Sequence, residues 1–174
     1  MTRSGETLVR MLEPIATRPH MPGYGTLPAD QGSGLLPWSW AVDRLTRSHD
    51  YWVATVRPDG APHVMPVWGV WLDDAVWFSS ALSSRKARNL ATNARCSVAT
   101  DDAHEPVVLE GHADQVSEHN AMQRFTDAVN AKYDATISLE FYAGSGNGVW
   151  RVPPGTAFAL TEDDFTGSPT RWRF

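Results

Sequence analysis

Cysteine is almost missing from this sequence. Cys96 is the only one in 174 residues, which excludes an internal disulfide and argues against a structural zinc site. The six histidines (His20, His49, His63, His104, His112, His119) form no HExxH or other close-spaced ligand pair. Runs of about 18 apolar residues are lacking, as is a charged-then-apolar leader, so no membrane association is expected and a reducing cytoplasm is the expected address. Positive charge is also in deficit. Fifteen Lys and Arg stand against 20 Asp and Glu, for a net charge of −5, which excludes a protein that works mainly by neutralising nucleic-acid phosphates. No internal repeat, low-complexity tract or Gly-x-Ser-x-Gly elbow occurs, so solenoids and propellers are unsupported and a serine triad lacks a motive. What is present is an ordinary globular composition, 42% apolar and 20% charged, with eight tryptophans. One hydrophobic core suits this length.

Residues 1–34 end in a Gly/Pro-rich run from Pro19 to Gly34 and lack sustained periodicity. They read as an extended arm that wraps a partner or stays mobile, outside a domain of residues 35–174. Pro37 suits a first helical turn, and Trp38, Ala41, Val42 and Leu45 share a helical face, giving a helix to about Ser48. Residues 51–56 are β-branched and aromatic, and the turn Arg57-Pro58-Asp59-Gly60 returns the chain along 61–72. Asp73-Asp74 makes the next turn, into a strand over 75–80. A helix follows, with Ser83 or Ser84 as cap and Ala87, Leu90, Ala91 and Ala94 as its buried stripe. Strands over 96–100 and 107–116 precede a long helix capped by Ser117 and carrying Met122, Phe125, Val129 and Tyr133 on one face. Strands over 149–152 and 156–161 and a tail close the chain. About seven mostly antiparallel strands with inserted helices favour a small barrel.

The stretch richest in chemistry joins Phe78-Ser79-Ser80 to Ser84-Arg85-Lys86-Ala87-Arg88-Asn89-Leu90. The free N–H groups of a helix's first turn, hydroxyls of Ser80 and Ser84, and the charges of Arg85 and Lys86 would together cradle an anion. Lys86 and Asn89 are three apart and share a face. A capped surface helix carrying solvated cations is the plainer reading. Against it, cations in a first turn oppose the helix dipole, at a cost of roughly a few tenths of a kcal/mol each, which an anion among them would remove.

Gly60-Ala61-Pro62-His63-Val64-Met65-Pro66-Val67-Trp68 is a strand broken by two prolines. Pro66 cannot donate to a ladder, so it marks either an edge protected from aggregation or a place where the backbone serves a flat ligand. Some of the tryptophans are expected to line a pocket or a subunit interface. Gly144-Ser145-Gly146-Asn147-Gly148 has no strand before it and no helix after it, so it reads as a loop rather than a dinucleotide fingerprint. Cys96 reads as an inert small hydrophobe. The carboxylate pairs Asp73-Asp74 and Asp163-Asp164 read as solvated turns.

The segments Ala54-Thr55-Val56-Arg57-Pro58-Asp59-Gly60-Ala61-Pro62-His63-Val64-Met65-Pro66-Val67-Trp68 and Ser84-Arg85-Lys86-Ala87-Arg88-Asn89-Leu90, in this order and separation, resemble the flavin and deazaflavin oxidoreductases of the pyridoxamine-phosphate-oxidase-like split-barrel superfamily. The resemblance runs from about Leu35 to Phe174 and is greatest to the branch that uses coenzyme F420. It implies a split β-barrel of six to seven strands and a homodimer with the cofactor in a groove between subunits. The phosphate would be held at Ser80, Ser84, Arg85, Lys86 and Asn89, and the ring would lie on Met65, Pro66, Val67 and Trp68. Arg173 matches an Arg that approaches the ring in the oxidases. Two cationic contacts of those oxidases fall on Met65 and Val70 here. Loss of charge-assisted hydrogen bonds, each worth about 1.5–3 kcal/mol, speaks against vitamin-B6 oxidation.

The implied activity is hydride transfer between F420 and an unsaturated small molecule, with an FMN enzyme or a non-catalytic flavin or haem binder as alternatives. His63, Tyr51 and water are equally open as proton donor.

Overall fold

The computed structural model describes residues 13–144 and 146–174; the first 12 residues of the predicted arm lie outside these. Pro37 occupies the N-cap of helix α1 (Trp38–Arg47), which turns Ala41 and Leu45 inward. Strand β2 (Asp50–Val56) alternates cleanly: Tyr51, Val53 and Thr55 are buried, whereas Trp52 and Val56 face out. The turn to β3 (Pro62–Leu72) is closed by the Arg57 N–H donating to the Ala61 carbonyl and by Gly60 at φ 85°, a left-handed value that favours glycine. Asp73 and Asp74 both hold positive φ, 48° and 55°, and turn β3 into β4 (Ala75–Ala81).

Strand β3 changes partner midway. Its first seven residues pair with β2, from Pro62 against Val56 to Trp68 against Asp50. Its last four, Gly69 to Leu72, pair with β4. From Ser79 onward β4 pairs with β8 (Asn147–Val152) and no longer with β3. The sheet therefore opens between β3 and β4, and helix α2 (Arg85–Thr92) begins in that opening.

Strands β5 (Arg95–Thr100) and β6 (Val107–His112) extend the sheet beyond β2, and β7 (Asp114–Val116) lies against β8. Strand β9 (Pro154–Ala159) pairs with β6, β10 (Thr170–Arg173) with β9, and β1 (Ile15–Thr17) with β10. The result is a curled antiparallel half-barrel in the order β1-β10-β9-β6-β5-β2-β3-β4-β8-β7.

Ten strands stand where six to seven were expected. The run over 107–116 breaks at Ala113, so that β6 serves one part of the sheet and β7 another. The tail is a strand, and part of the N-terminal segment pairs with it. The bend is crowded: a Cβ on Gly111 would lie 2.3 Å from the Pro153 carbonyl oxygen at the neighbouring β8–β9 corner, so glycine is required there.

Two cores result. One fills the curl and includes Tyr51, Val53, Phe78, Val98, Leu109 and Trp172. The other lies between the convex side of β3, β4 and β8 and two helices, α3 (His119–Tyr133) and α4 (Leu139–Ala143), where Val70 and Trp77 meet Phe125, Val129 and Tyr142. β4 is consequently buried on both faces from Ala75 to Phe78. Three local expectations are corrected. Glu118, not Ser117, caps α3, its carboxylate accepting from the Asn120 and Ala121 N–H groups. Helix α4 was not anticipated. Asn147 and Gly148, expected in a loop, open β8.

Candidate functional site

The opening between β3 and β4 gathers most of the predicted binding residues. One wall is β3 from Pro62 to Trp68, whose edge away from β2 has no strand partner among the described residues. The other is the end of β4, with Ser80 on the concave side. The floor is α2. Ser84 caps this helix by accepting from the Ala87 N–H at 3.1 Å, and its Oγ lies 3.0 Å from the Ser80 Oγ. The Lys86 ammonium donates to the same Ser80 Oγ at 3.0 Å.

The predicted stripe of α2 is corrected here. Ala87 and Leu90 are buried, but Ala91 is exposed and Ala94 only half-buried. The inward face carries Lys86, 9% exposed, and Asn89, 1% exposed. An ammonium so placed is costly without an anion, and its burial holds the Lys86 pKa below the ordinary lysine value.

Asn89 donates from Nδ2 to the Thr55 Oγ1 at 2.9 Å. Thr55, 2% exposed, stands opposite His63 across the β2–β3 pair. Three polar atoms around this point are buried without a hydrogen-bond partner: Asn89 Oδ1, His63 Nδ1 and Arg57 Nε. The His63 pKa is lowered, first by desolvation and then by the neighbouring charges of Arg57, Lys86 and Arg85. Four basic groups thus face one another. Among the described residues, no carboxylate forms an ion pair with any of them. Such a cluster, built on two hydroxyls and a helix N-terminus, is arranged for an oxyanion.

The remaining predicted residues divide. Met65, half exposed, shares the concave face with His63. Val67 shares it too but is packed into the core, and Pro66 and Trp68 face the opposite side. Trp68 stacks on Tyr133 of α3, with ring centroids 4.3 Å apart and planes within 4°. Tyr133 Oη accepts from the Gly69 N–H at 2.9 Å, and the Lys132 ammonium donates to the Gly69 carbonyl at 2.7 Å. These contacts fix the backbone where β3 changes partner. Burial lowers the Lys132 pKa to about 8.

Arg173 is not brought to this site within one chain. It stands on β10, with β9, β6, β5 and β2 between it and β3 in the sheet order. Cys96 is buried, and its thiol is pushed up to about 12 by desolvation, as an inert residue requires. Tyr51 is buried with its hydroxyl donating to the Leu45 carbonyl and its pKa raised, so it holds its proton in the core. Among the described residues no group of three or more His, Cys, Asp or Glu forms a metal site.

Arg57 and His63 were not predicted as anion ligands. They lie far from Lys86 in sequence, and only the β2–β3 register carries His63 back beside Thr55. A flush hairpin drawn from the Pro58-Asp59-Gly60 turn would have indicated this.

The family described as pyridoxamine 5′-phosphate oxidase matches residues 41–159. No curated protein matches the chain. Among solved structures, the conserved hypothetical protein Rv2991 from Mycobacterium tuberculosis is 22% identical with a TM-score of 0.66, over 74% of this chain and 87% of that one. A protein described as an F420 reductase is 24% identical with a TM-score of 0.55, over 66% and 93%. General Stress Protein 26 from Bacillus anthracis is 16% identical with a TM-score of 0.62, over 78% and 97%. At these identities the likeness is one of fold. Among the described residues no helix is long and apolar enough to cross a membrane.

Proposed function

The chain belongs to the pyridoxamine 5′-phosphate oxidase family, and on that premise we propose that it is an oxidoreductase that holds coenzyme F420 in the β3–β4 opening, with FMN as the alternative cofactor. The observation that carries this reading is the uncompensated cationic cluster of Arg57, His63, Arg85 and Lys86, in which two buried nitrogens, Arg57 Nε and His63 Nδ1, have no partner among the described residues. The residues fit a phosphate. Ser80, Ser84 and the first-turn N–H groups of α2 would donate to its oxygens, with Lys86 and Arg85 supplying charge and Asn89 fixed beneath by Thr55. The unpaired edge of β3 from Met65 to Trp68 would lie along the ring, offering backbone groups while Met65 contributes an apolar contact. One of the matched structures is described as an F420 reductase, which agrees with the choice of cofactor.

Bound F420 supplies hydride transfer to or from an unsaturated small molecule. The chain's contribution is to anchor the phosphate, orient the ring edge and exclude water. Val70 bears on which chemistry follows. It is 5% exposed and packed beneath α3, so no cation can be presented at that position, and the contact that the oxidases have there is lost. Oxidation of vitamin B6 is therefore not the proposed reaction.

The proposed assembly is a homodimer. The face formed by Trp52, Val56, Val64, Pro66 and Trp68 is apolar and open, with Trp52, Val64 and Trp68 each 44–53% exposed. A second copy would cover it, with the cofactor groove running beside it along the free edge of β3. Titration with F420, FMN and haem, followed by tryptophan fluorescence and then by reduction of enones and quinones, tests the proposal. Tight binding of F420 with turnover supports it. Binding of haem with no response to F420 or FMN at tens of micromolar overturns it.

A further inference from the structure

At the other end of β4, about 20 Å from Ser80 at the strand rise of about 3.3 Å per residue, lies a groove with a cavity of about 820 Å³. Its walls are aromatic. Trp38 at the start of α1 meets Trp71, Trp172 and Phe174 edge to face, with centroids 6.1, 5.4 and 4.8 Å away. Its rim is acidic: Glu13, Asp43, Asp73 and Asp74 line it, and among the described residues no Lys or Arg does. Asp43 is already answered by Arg44 and Arg47, and Asp73 by Arg124. Glu13 and Asp74 have no ion-pair partner among the described residues. Trp172 on the same wall is 1% exposed, and its Nε1–H has no acceptor among the described residues.

We propose that this groove is a second ligand site, separate from the cofactor opening, and that its ligand is a small organic cation with an apolar body and an oxygen acceptor beside the charged head. The charge selects the occupant. An apolar neutral molecule would satisfy the rings but leave Glu13 and Asp74 uncompensated, and an anion would be repelled by the rim. A quaternary or protonated amine lies against ring faces favourably and meets the free carboxylates at the mouth.

The test uses the full chain, with and without bound cofactor. The probe is (2-phenoxyethyl)trimethylammonium, and its control is the neutral 3,3-dimethylbutyl phenyl ether of the same shape. Tryptophan fluorescence and calorimetry are expected to show the cation bound at least tenfold more tightly than the control, about 1.4 kcal/mol. The double variant Glu13→Gln, Asp74→Asn changes only exposed or rim side chains. It is expected to weaken the cation at least fivefold and leave the control unchanged. Equal affinity for cation and control, an unaltered cation affinity in the double variant, or no signal from the cation at about millimolar concentration would each overturn the proposal. Competition between the probe and the cofactor would overturn the separateness of the two sites.

Discussion

Replacing Lys86 by Met separates two roles that a buried cation can have. In the free protein this ammonium is 9% exposed and has one acceptor, the neutral Ser80 hydroxyl at 3.0 Å. Its desolvation offsets most of what that hydrogen bond contributes, so Lys86→Met is expected to change stability by no more than about 1 kcal/mol near neutral pH. The direction follows from proton linkage. Burial holds the folded-state pKa below the reference value of 10.5, so the unfolded chain binds this proton more tightly. The destabilisation is complete below the folded-state pKa and fades as pH rises towards 10.5. Lys86→Met removes it, and the variant gains relative stability at neutral pH that disappears in strong alkali.

Binding is expected to move the other way. Loss of one charge-assisted contact to phosphate, worth about 1.5–3 kcal/mol, weakens F420 or FMN roughly 10- to 150-fold. Fluorescence titration and thermal unfolding of the same samples read both effects. A variant several kcal/mol less stable with unchanged cofactor affinity would show that Lys86 is structural and that the phosphate lies elsewhere.

His63 is held below the ordinary histidine pKa by desolvation and by Arg57, Lys86 and Arg85, so a bound anion raises its pKa and draws in a proton. Cofactor affinity is expected to rise as pH falls through the range in which the imidazole of the complex takes up its proton, and His63→Gln to flatten that slope in calorimetry; a slope unchanged by the substitution would refute the coupling. Trp52→Glu combined with Val64→Glu places charges on the open apolar face. Light scattering is expected to report the 19.2 kDa chain mass in place of twice that value, with weaker cofactor binding, whereas a parent protein already monomeric would refute the dimer. Lys132, with its pKa lowered to about 8, is neutralised in the folded chain before the unfolded one. Stability should therefore rise between about pH 8 and 10.5 through this group, and denaturant titrations of Lys132→Met should lose that rise.

The hairpins and the long helices were legible because each rests on a local signal. The Arg57-Pro58-Asp59-Gly60 turn, the Asp73-Asp74 turn and the Ser84 cap all stand where the residues place them. The strand count was not legible. A corner such as Ala113 is set by Gly111 passing close to Pro153, a contact between segments some 40 residues apart, and hydrophobic alternation runs through it without a mark. Arg173 was readable as a candidate from its resemblance, but its distance from β3 follows from strand order, which no local pattern encodes.

The α2 stripe shows why the site itself was only half visible. Periodicity assigns burial to alanines because they are apolar, and by that rule Ala91 belongs inside and Lys86 and Asn89 outside. The structure reverses this, and the reversal conveys more than agreement would. A helix that turns an ammonium and an amide inward, beside a hydroxyl on β4 and another on β2, gives up apolar burial to bury polar groups. A core has no use for such an arrangement, and buried polar atoms left without partners are costly unless something else supplies them. A bound oxyanion would supply Lys86, His63 and Arg57 at once. Where a helical stripe is apolar by composition but polar by burial, a ligand is the expected reason, and here that stripe lies beside the opening between β3 and β4.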